Sequence, residues 1–266
     1  MNSLFFDYPC KAANSDTVVP SIDLAWCKSE NVLACAMEHG GIAFYEDEGA
    51  EIISARIRRD NNQRSNTMEW SPRGKILGVG WTDGQVSIWN VMEPLRKSAS
   101  VCTCANLSIH RLPVTLLIWN QSGTRLVTGD VAGIVCIWKV DGRGNVTPSL
   151  QYRRNSTITA AVFCPVPAQT TEMMAQVFSL SFFFATETGM VCYADDLGHC
   201  TDVQQLTSSV DRLVFYEETR RLVIITRSLL MAHQLCVGED EIVSQFMKVK
   251  LSVSAASLQE SGLREV

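Results

Sequence analysis

Aromatic residues close short apolar segments at a nearly constant interval along most of this chain. That interval constrains the fold more than any other feature. Trp26 ends Ile22–Trp26, Trp70 ends Thr67–Trp70, Trp119 ends Val114–Trp119, Phe163 ends Ile158–Phe163 and Phe215 ends Leu213–Phe215. The successive intervals are 44, 49, 44 and 52 residues. The register inside each unit is tighter still. A leucine stands seven residues past the anchor in four units (Leu33, Leu77, Leu126, Leu222). In the first three units an aromatic stands nineteen past it (Tyr45, Trp89, Trp138), with a glycine five before that aromatic (Gly40, Gly84, Gly133). A self-similar unit of this size folds as one supersecondary element that must stack on its neighbours to bury its apolar faces.

Each unit reads as strand, turn, strand, turn, strand. The first turns are Lys28–Asn31, Ser71–Gly74 and Asn120–Gly123. Pro72 suits a turn position that needs φ near −65°, and Gly74 and Gly123 close their turns. The middle strands Val32–Ala36, Ile76–Gly80 and Leu126–Gly129 are uninterrupted and apolar, as a strand covered on both faces requires. Thr82-Asp83-Gly84 is a hairpin signal, and Val86–Trp89 and Val135–Trp138 form the third strands. Glu51–Ile57 is expected to supply a fourth, outer strand in the first unit. Unit four is expected to carry an insertion over Cys164–Ser181 before its strands resume at Phe182–Ala185 and Gly189–Tyr193. This pattern predicts an all-β chain, a WD40-type β-propeller of about five blades with its ring incomplete. The blades fall near residues 20–60, 65–105, 112–152, 156–200 and 208–250, within a domain over 1–251, and 252–266 forms a polar tail. An unclosed set exposes sheet edges and apolar faces, so the chain reads as a fragment or truncated product that would be marginal, dimerise or aggregate alone.

Composition excludes several classes. The net charge of −5 and a pI near 5.4 oppose a nucleic-acid binder, and Arg56, Arg58, Arg59 and Arg64 read as solvated charges offset elsewhere. No run of eighteen apolar residues spans a membrane. Met1–Asp16 lacks a basic segment before a long apolar core, so a cytosolic chain is expected rather than a secreted one. The ten cysteines lie mostly in apolar runs (Cys35, Cys136, Cys192, Cys236), where they act as small hydrophobes. Cys102-Thr103-Cys104 has no second ligand pair at zinc spacing, so no metal is expected. The sequons at Asn106, Asn120 and Asn155 are read as accidents in a cytosolic chain.

No catalytic motif occurs: there is no Gly-x-Ser-x-Gly, no phosphate-cradling glycine loop and no His-Glu-x-x-His. His110, ahead of the third blade, reads as structural. The recurring Trp26, Trp70, Trp89, Trp119 and Trp138 read as core. Trp81 reads as extra to the repeat, and two placements stay open for it: an exposed anchor beside the Asp83-Gly84 turn, or inward packing. His39, Trp81, Asp83 and Asp130 are the candidates for a partner-facing set of turns. Neither a cofactor nor an enzymatic activity is expected.

Several segments in order carry a resemblance. Val79–Val86, Leu126–Asp130 and Met247–Ser252 resemble the N-terminal propeller of the largest WD-repeat subunit of intraflagellar transport complex A, as do Phe5–Tyr8 and Asp141–Val146. The resemblance runs roughly from Leu4 to Ser252. It implies a non-catalytic scaffold in retrograde ciliary transport, cilium assembly and entry of membrane-protein cargo. The implied partners are the other complex-A subunits and ciliary cargo adaptors, and the implied location is cytoplasm, cilium and basal body. A WD-repeat subunit of a vesicle coat is the alternative binding reading. A propeller hydrolase is the alternative of another class, opposed by the apolar or small residues Leu24, Met68, Leu117 and Ala160 on the innermost strands.

Overall fold

Each repeat becomes an antiparallel sheet because its apolar segments are separated by residues that reverse the chain. The computed structural model describes residues 21–38, 40–59, 63–74, 76–91, 103–141, 145–165, 180–195, 197–226, 231–236 and 246–250. The first blade has three strands, β1 (Ser21–Cys27), β2 (Val32–Met37) and β3 (Ile42–Glu46). The second has β4 (Ser65–Trp70), β5 (Ile76–Trp81), β6 (Val86–Asn90) and β7 (Thr103–Leu107). The third has β8 (Val114–Trp119), β9 (Arg125–Asp130), β10 (Ile134–Val140) and β11 (Val146–Arg153). The fourth has β12 (Ile158–Pro165), β13 (Leu180–Thr186), β14 (Met190–Asp195) and β15 (Cys200–Gln205). The fifth has β16 (Val210–Tyr216), β17 (Arg221–Thr226), β18 (Met231–Cys236) and β19 (Phe246–Lys250). Strands follow chain order in every sheet. These five meander sheets are the blades of a WD40-type β-propeller, as the periodicity predicts. The predicted tail 252–266 and the segments Phe5–Tyr8 and Cys102 lie outside the described residues.

The repeat extends to a backbone irregularity that the sequence pattern did not single out. In every first strand the pairing slips by one residue: between Ser21 and Asp23, Ser65 and Thr67, Val114 and Leu116, Ile158 and Ala160, and Val210 and Arg212. The residue skipped by the register is always four before the aromatic anchor. A β-bulge at one fixed site bends the strand and strengthens its local twist there. The anchor leucines pair directly with the anchors: Leu33 with Trp26, Leu77 with Trp70, Leu126 with Trp119 and Leu222 with Phe215.

The chain divides into two compact units, Met1–Asp130 with Trp138–Pro148, and Val131–Ile137 with Ser149–Val266. Each has its own core. In the first, Phe44 meets Trp70 edge to face at 6.0 Å between ring centres, among Ala34, Leu77, Val79 and Trp81. In the second, Phe183 contacts Tyr193 at 5.3 Å and Phe215 at 6.4 Å. All three phenylalanines of β13 (Phe182, Phe183, Phe184) are fully buried, so both faces of this middle strand are covered. Burial of each such side chain contributes about 1.5–3 kcal/mol. The insertion expected in blade four joins β12 to β13. Cys164 pairs with Ser181 and Pro165 with Leu180, and residues 166–179 between them lie outside the described residues.

Blades one to three are tied in sequence by their anchors. The Trp70 indole Nε1–H donates to the Ala25 carbonyl at 3.0 Å, and the Trp119 Nε1–H donates to the Glu69 carbonyl at 3.1 Å. In both cases the acceptor is the residue just before the previous blade's anchor. Carboxylates add a second tie. Asp23 Oδ2 accepts the Met68 N–H at 3.1 Å, and Glu69 Oε2 accepts the Trp119 N–H at 3.2 Å. This geometry corrects one expectation. Trp26 was expected in the core, but 44% of it is exposed. Each anchor leans on the blade before it, and among the described residues no strand precedes β1. Leu24, on the same strand, is exposed for the same reason.

A second expectation also fails. Glu51–Ile57 is not a fourth strand. It touches β3 only at two isolated bridges, Ile42 with Ile57 and Tyr45 with Glu51. Six residue steps on the outer segment face three on β3, so a continuous antiparallel ladder cannot form. The surplus is taken up by a 3₁₀ turn at Ile53–Ala55.

Burial pushes the Glu69 carboxyl up to about 7, with the Trp119 N–H opposing the shift. Its folded value thus lies above its ordinary 4.5. The stability it contributes is complete below that lower value and is lost as pH rises through about 7. Glu69→Gln keeps an acceptor for the N–H but cannot ionise. Equilibrium denaturation across this range should show the natural chain weakening with rising pH relative to the variant. Parallel stability curves would refute the assignment.

Candidate functional site

The hairpin turns between second and third strands place the sequence-predicted site residues. Trp81 closes β5, and its backbone N–H donates to the Gln85 carbonyl at 2.9 Å. Asp83 Oδ1 accepts the Gln85 N–H at 3.0 Å, which fixes the turn through its own side chain. Gly84 has φ +86°, and a Cβ there would stand 2.7 Å from the His110 carbonyl oxygen. The turn is therefore held against the segment that leads into blade three. Gly133 repeats the conformation (φ +83°), with a Cβ position 2.2 Å from the Arg154 carbonyl oxygen, and Gly189 has φ +84°.

Trp81 packs inward and is fully buried, so the exposed-anchor placement does not hold. Its Nε1–H donates to Ser87 Oγ at 3.0 Å. Arg59 covers its ring, with the guanidinium carbon 4.6 Å from the ring centre. The same guanidinium pairs with Asp83 Oδ2 at 3.0 Å and also donates to the Gln85 side-chain carbonyl. Arg59 was read only as a solvated charge. It instead clamps the turn, and only the acid–aromatic pair in Trp-Thr-Asp-Gly could have hinted at a cation above it. Asp83 keeps part of its side chain exposed (24%). His39 lies outside the described residues.

Asp130 is buried, and four side chains of blade three form one chain of hydrogen bonds around it. The Trp138 indole N–H donates to Thr128 Oγ1 at 2.8 Å. Thr128 Oγ1 lies 2.7 Å from His110 Nε2, and His110 Nδ1 lies 2.8 Å from Asp130 Oδ2. Burial lowers the His110 value below 6.5, against the opposing hydrogen bond and charge of Asp130. With a neutral imidazole the donors run one way. Trp138 donates to Thr128, the Thr128 hydroxyl donates to Nε2, and Nδ1–H donates to the Asp130 carboxylate. Every donor finds an acceptor in a site closed to water, which makes the arrangement structural. This agrees with the structural reading of His110.

Trp81 is not extra to the repeat. Counted from the anchor leucines, Trp81 stands where Asp130 stands, Val79 where Thr128 stands, and Trp89 where Trp138 stands. Val79 offers no hydroxyl, and the buried Trp89 Nε1–H finds no partner among the described residues. Blade two has replaced the polar chain with an indole that bonds sideways to Ser87.

Elsewhere in the second unit, Arg154 donates to Cys192 Sγ (3.3 Å), Cys200 Sγ (3.0 Å) and Asp202 Oδ1 (2.8 Å). Burial pushes the Cys192 thiol up to about 12 despite that guanidinium, so the thiol stays protonated and is a poor nucleophile. Cys35 and Cys164 are raised to about 11 by burial. His199 Nδ1 lies 2.7 Å from Asp195 Oδ2 across a surface turn. Among the described residues no three His, Cys, Asp or Glu side chains converge as a metal would need, and no helix is long and apolar enough to cross a membrane.

Comparison with known proteins places this geometry. The family model described as IFT140 first beta-propeller matches residues 3–179 and 167–261. The SIR4-interacting protein SIF2 of Saccharomyces cerevisiae is 27% identical over 33% of this chain and 15% of its own length. The human F-box-like/WD repeat-containing protein TBL1X is 30% identical over 36% of this chain and 18% of its own. The retinoblastoma-binding protein homolog 5 of Caenorhabditis elegans is 31% identical over 39% and 21%. The chain therefore spans a fifth or so of these relatives.

Two substitutions test the polar chain. Thr128→Val removes one hydroxyl and strands both the Trp138 N–H and His110 Nε2. It should cost about 2–4 kcal/mol, while Thr128→Ser should cost far less. Equal losses in chemical denaturation would show that the hydroxyl does not matter. Trp138→Phe should likewise destabilise more than Trp89→Phe, by about 1 kcal/mol or more, because only the first indole N–H has an acceptor. Thermal melts of the two variants read the difference, and the reverse order would overturn it.

Proposed function

The chain belongs to the IFT140 first beta-propeller family, and on that footing we propose that it is a non-catalytic scaffold module of intraflagellar transport complex A. Its work is retrograde ciliary transport, cilium assembly and the entry of membrane-protein cargo. Its partners are other complex-A subunits and cargo adaptors, and it acts in the cytoplasm, the cilium and at the basal body. The family match along the chain carries this reading.

The site chemistry supports a binding role. The buried histidine is consumed by a structural hydrogen-bond chain, and the thiols that burial raises to 11 or above are protonated at neutral pH. Polar chemistry is thus spent on holding turns, and turns held rigidly present a surface of fixed shape. Asp83, with Arg59 behind it, is the partner-facing member of the candidate turns. Trp81 and Asp130 act from beneath by fixing the backbone, and His39 stands at the Asp83 position of the repeat in sequence.

The test is affinity purification of the tagged whole gene product from ciliated cells, with mass spectrometry and imaging. Recovery of complex-A subunits, with signal at cilium and basal body, is the expected result. Asp83→Asn, which keeps an acceptor for the Gln85 N–H and removes the charge, should weaken recovery of at least one partner with little change in the protein's abundance. Recovery of vesicle-coat proteins instead, or of no trafficking subunit, would overturn the assignment.

A further inference from the structure

The broken outer edge of blade one leaves a cavity of about 330 Å³. Three arginines line it, Arg56, Arg58 and Arg59, and no carboxylate does among the described residues. This is a local reversal in a chain whose net charge is −5. Gly40 and Gly41 form part of the wall, where neither contributes a side chain. Met37 and Ile42 add an apolar floor.

The cations are already held in place. Ile57 is bonded to Ile42 through both its N–H and its carbonyl, at 2.9 Å each. That extended pairing sends Arg56 and Arg58, on either side of Ile57, to the same side. Arg56 Nε donates to Glu51 Oε1 at 2.9 Å, and Arg59 is held by Asp83 and by the Trp81 ring. Arg58 has no ion pair among the described residues and is exposed. Two guanidiniums are thus positioned by acids that are not themselves among the lining residues, and the third is exposed for contact with a ligand.

We propose that this cavity is a docking site for an acidic side chain, phosphoryl or carboxylate, on a short peptide segment of a partner protein. Arginine forks suit oxygen anions, and preorganised ones lose little side-chain freedom on binding. The volume lies at the low end for ligand pockets, about 300–1,000 Å³, which fits one or two side chains. The apolar floor takes the residue beside the anion. Glu51 and Asp83 pair with two of the lining arginines, and Glu38, next to Met37 in sequence, pairs with Arg64. With a net charge of −5 on the chain, these acids oppose an extended polyanion such as a nucleic acid or an anionic bilayer, whereas a single anion needs only the guanidinium forks. The site does not depend on the ciliary assignment.

The test uses a short fluorescein-labelled peptide with one phosphoserine between leucines, its aspartate counterpart and its unmodified serine counterpart. Fluorescence anisotropy is read on the full chain at about 0.15 M salt, where surface attraction is screened. The phosphoserine or the aspartate peptide should bind at least about tenfold more tightly than the serine peptide. Arg58→Gln, which breaks no ion pair in the fold, should abolish that difference, while Arg153→Gln on another blade should preserve it. Circular dichroism checks that the variants fold. Equal binding of all three peptides would overturn the proposal, as would indifference to Arg58→Gln or tighter binding to phosphatidylserine vesicles or to a single-stranded RNA.

Discussion

The hydrogen bond from an anchor indole to the carbonyl of the preceding blade sets the relation between successive sheets in the first unit. It is directional, shielded from water wholly or in part, and repeated at the same backbone site, from Trp70 to Ala25 and from Trp119 to Glu69. An indole supplies a large apolar surface and one donor, so a single residue both fills the space between two sheets and fixes their register. The bulge four residues earlier bends each first strand at the same site, and the acceptor recurs in the same place. Asp23 and Glu69 reinforce the step from the strand side. Where the anchor of blade five is phenylalanine the donor is absent, and an aromatic contact, Phe183 with Phe215, joins it to blade four.

Within a blade, the polar positions vary as a set. Blade three keeps threonine, aspartate and tryptophan together with the incoming His110, and all four are paired. Blade two has Val79 in place of threonine and Trp81 in place of aspartate, and its third-strand Trp89 N–H has no partner among the described residues. Arg59, which arrives from blade one, covers the new indole and holds the turn that Asp83 shapes. The loss of an internal polar chain is offset by a clamp from the neighbouring blade. The same Arg59 reaches the recess left by the interrupted outer strand, so one side chain joins the turn to the cavity.

The all-β repeat was legible in the sequence because its signals are local. A glycine at positive φ, a turn proline and an apolar strand act over a few residues, and Gly84 and Gly133 adopt the conformation their spacing required. The family was legible because its segments recur in order. What was not legible depends on partners distant in sequence. Trp26 carries the anchor pattern, but among the described residues no strand precedes its own, and its exposure follows from that and not from the residue itself. Glu51–Ile57 has strand composition, yet its length against β3 is wrong by three residues, a mismatch visible only once both ends are pinned. Arg59 lies 24 residues from Asp83 and looked like solvent charge. Trp81 looked extra because no other unit carries an aromatic eleven residues past its anchor, where blade three carries Asp130.

The one-way hydrogen-bond chain of blade three also governs how that blade can move. No member can turn its hydroxyl or imidazole alone without breaking the donor sequence for the rest, so small fluctuations are suppressed until all the bonds open together. Protons on Trp138 Nε1 and His110 Nδ1 then exchange with solvent in a single cooperative event. Blade two has no such interlock among the described residues, and its turn is held instead from outside the sheet, by Arg59.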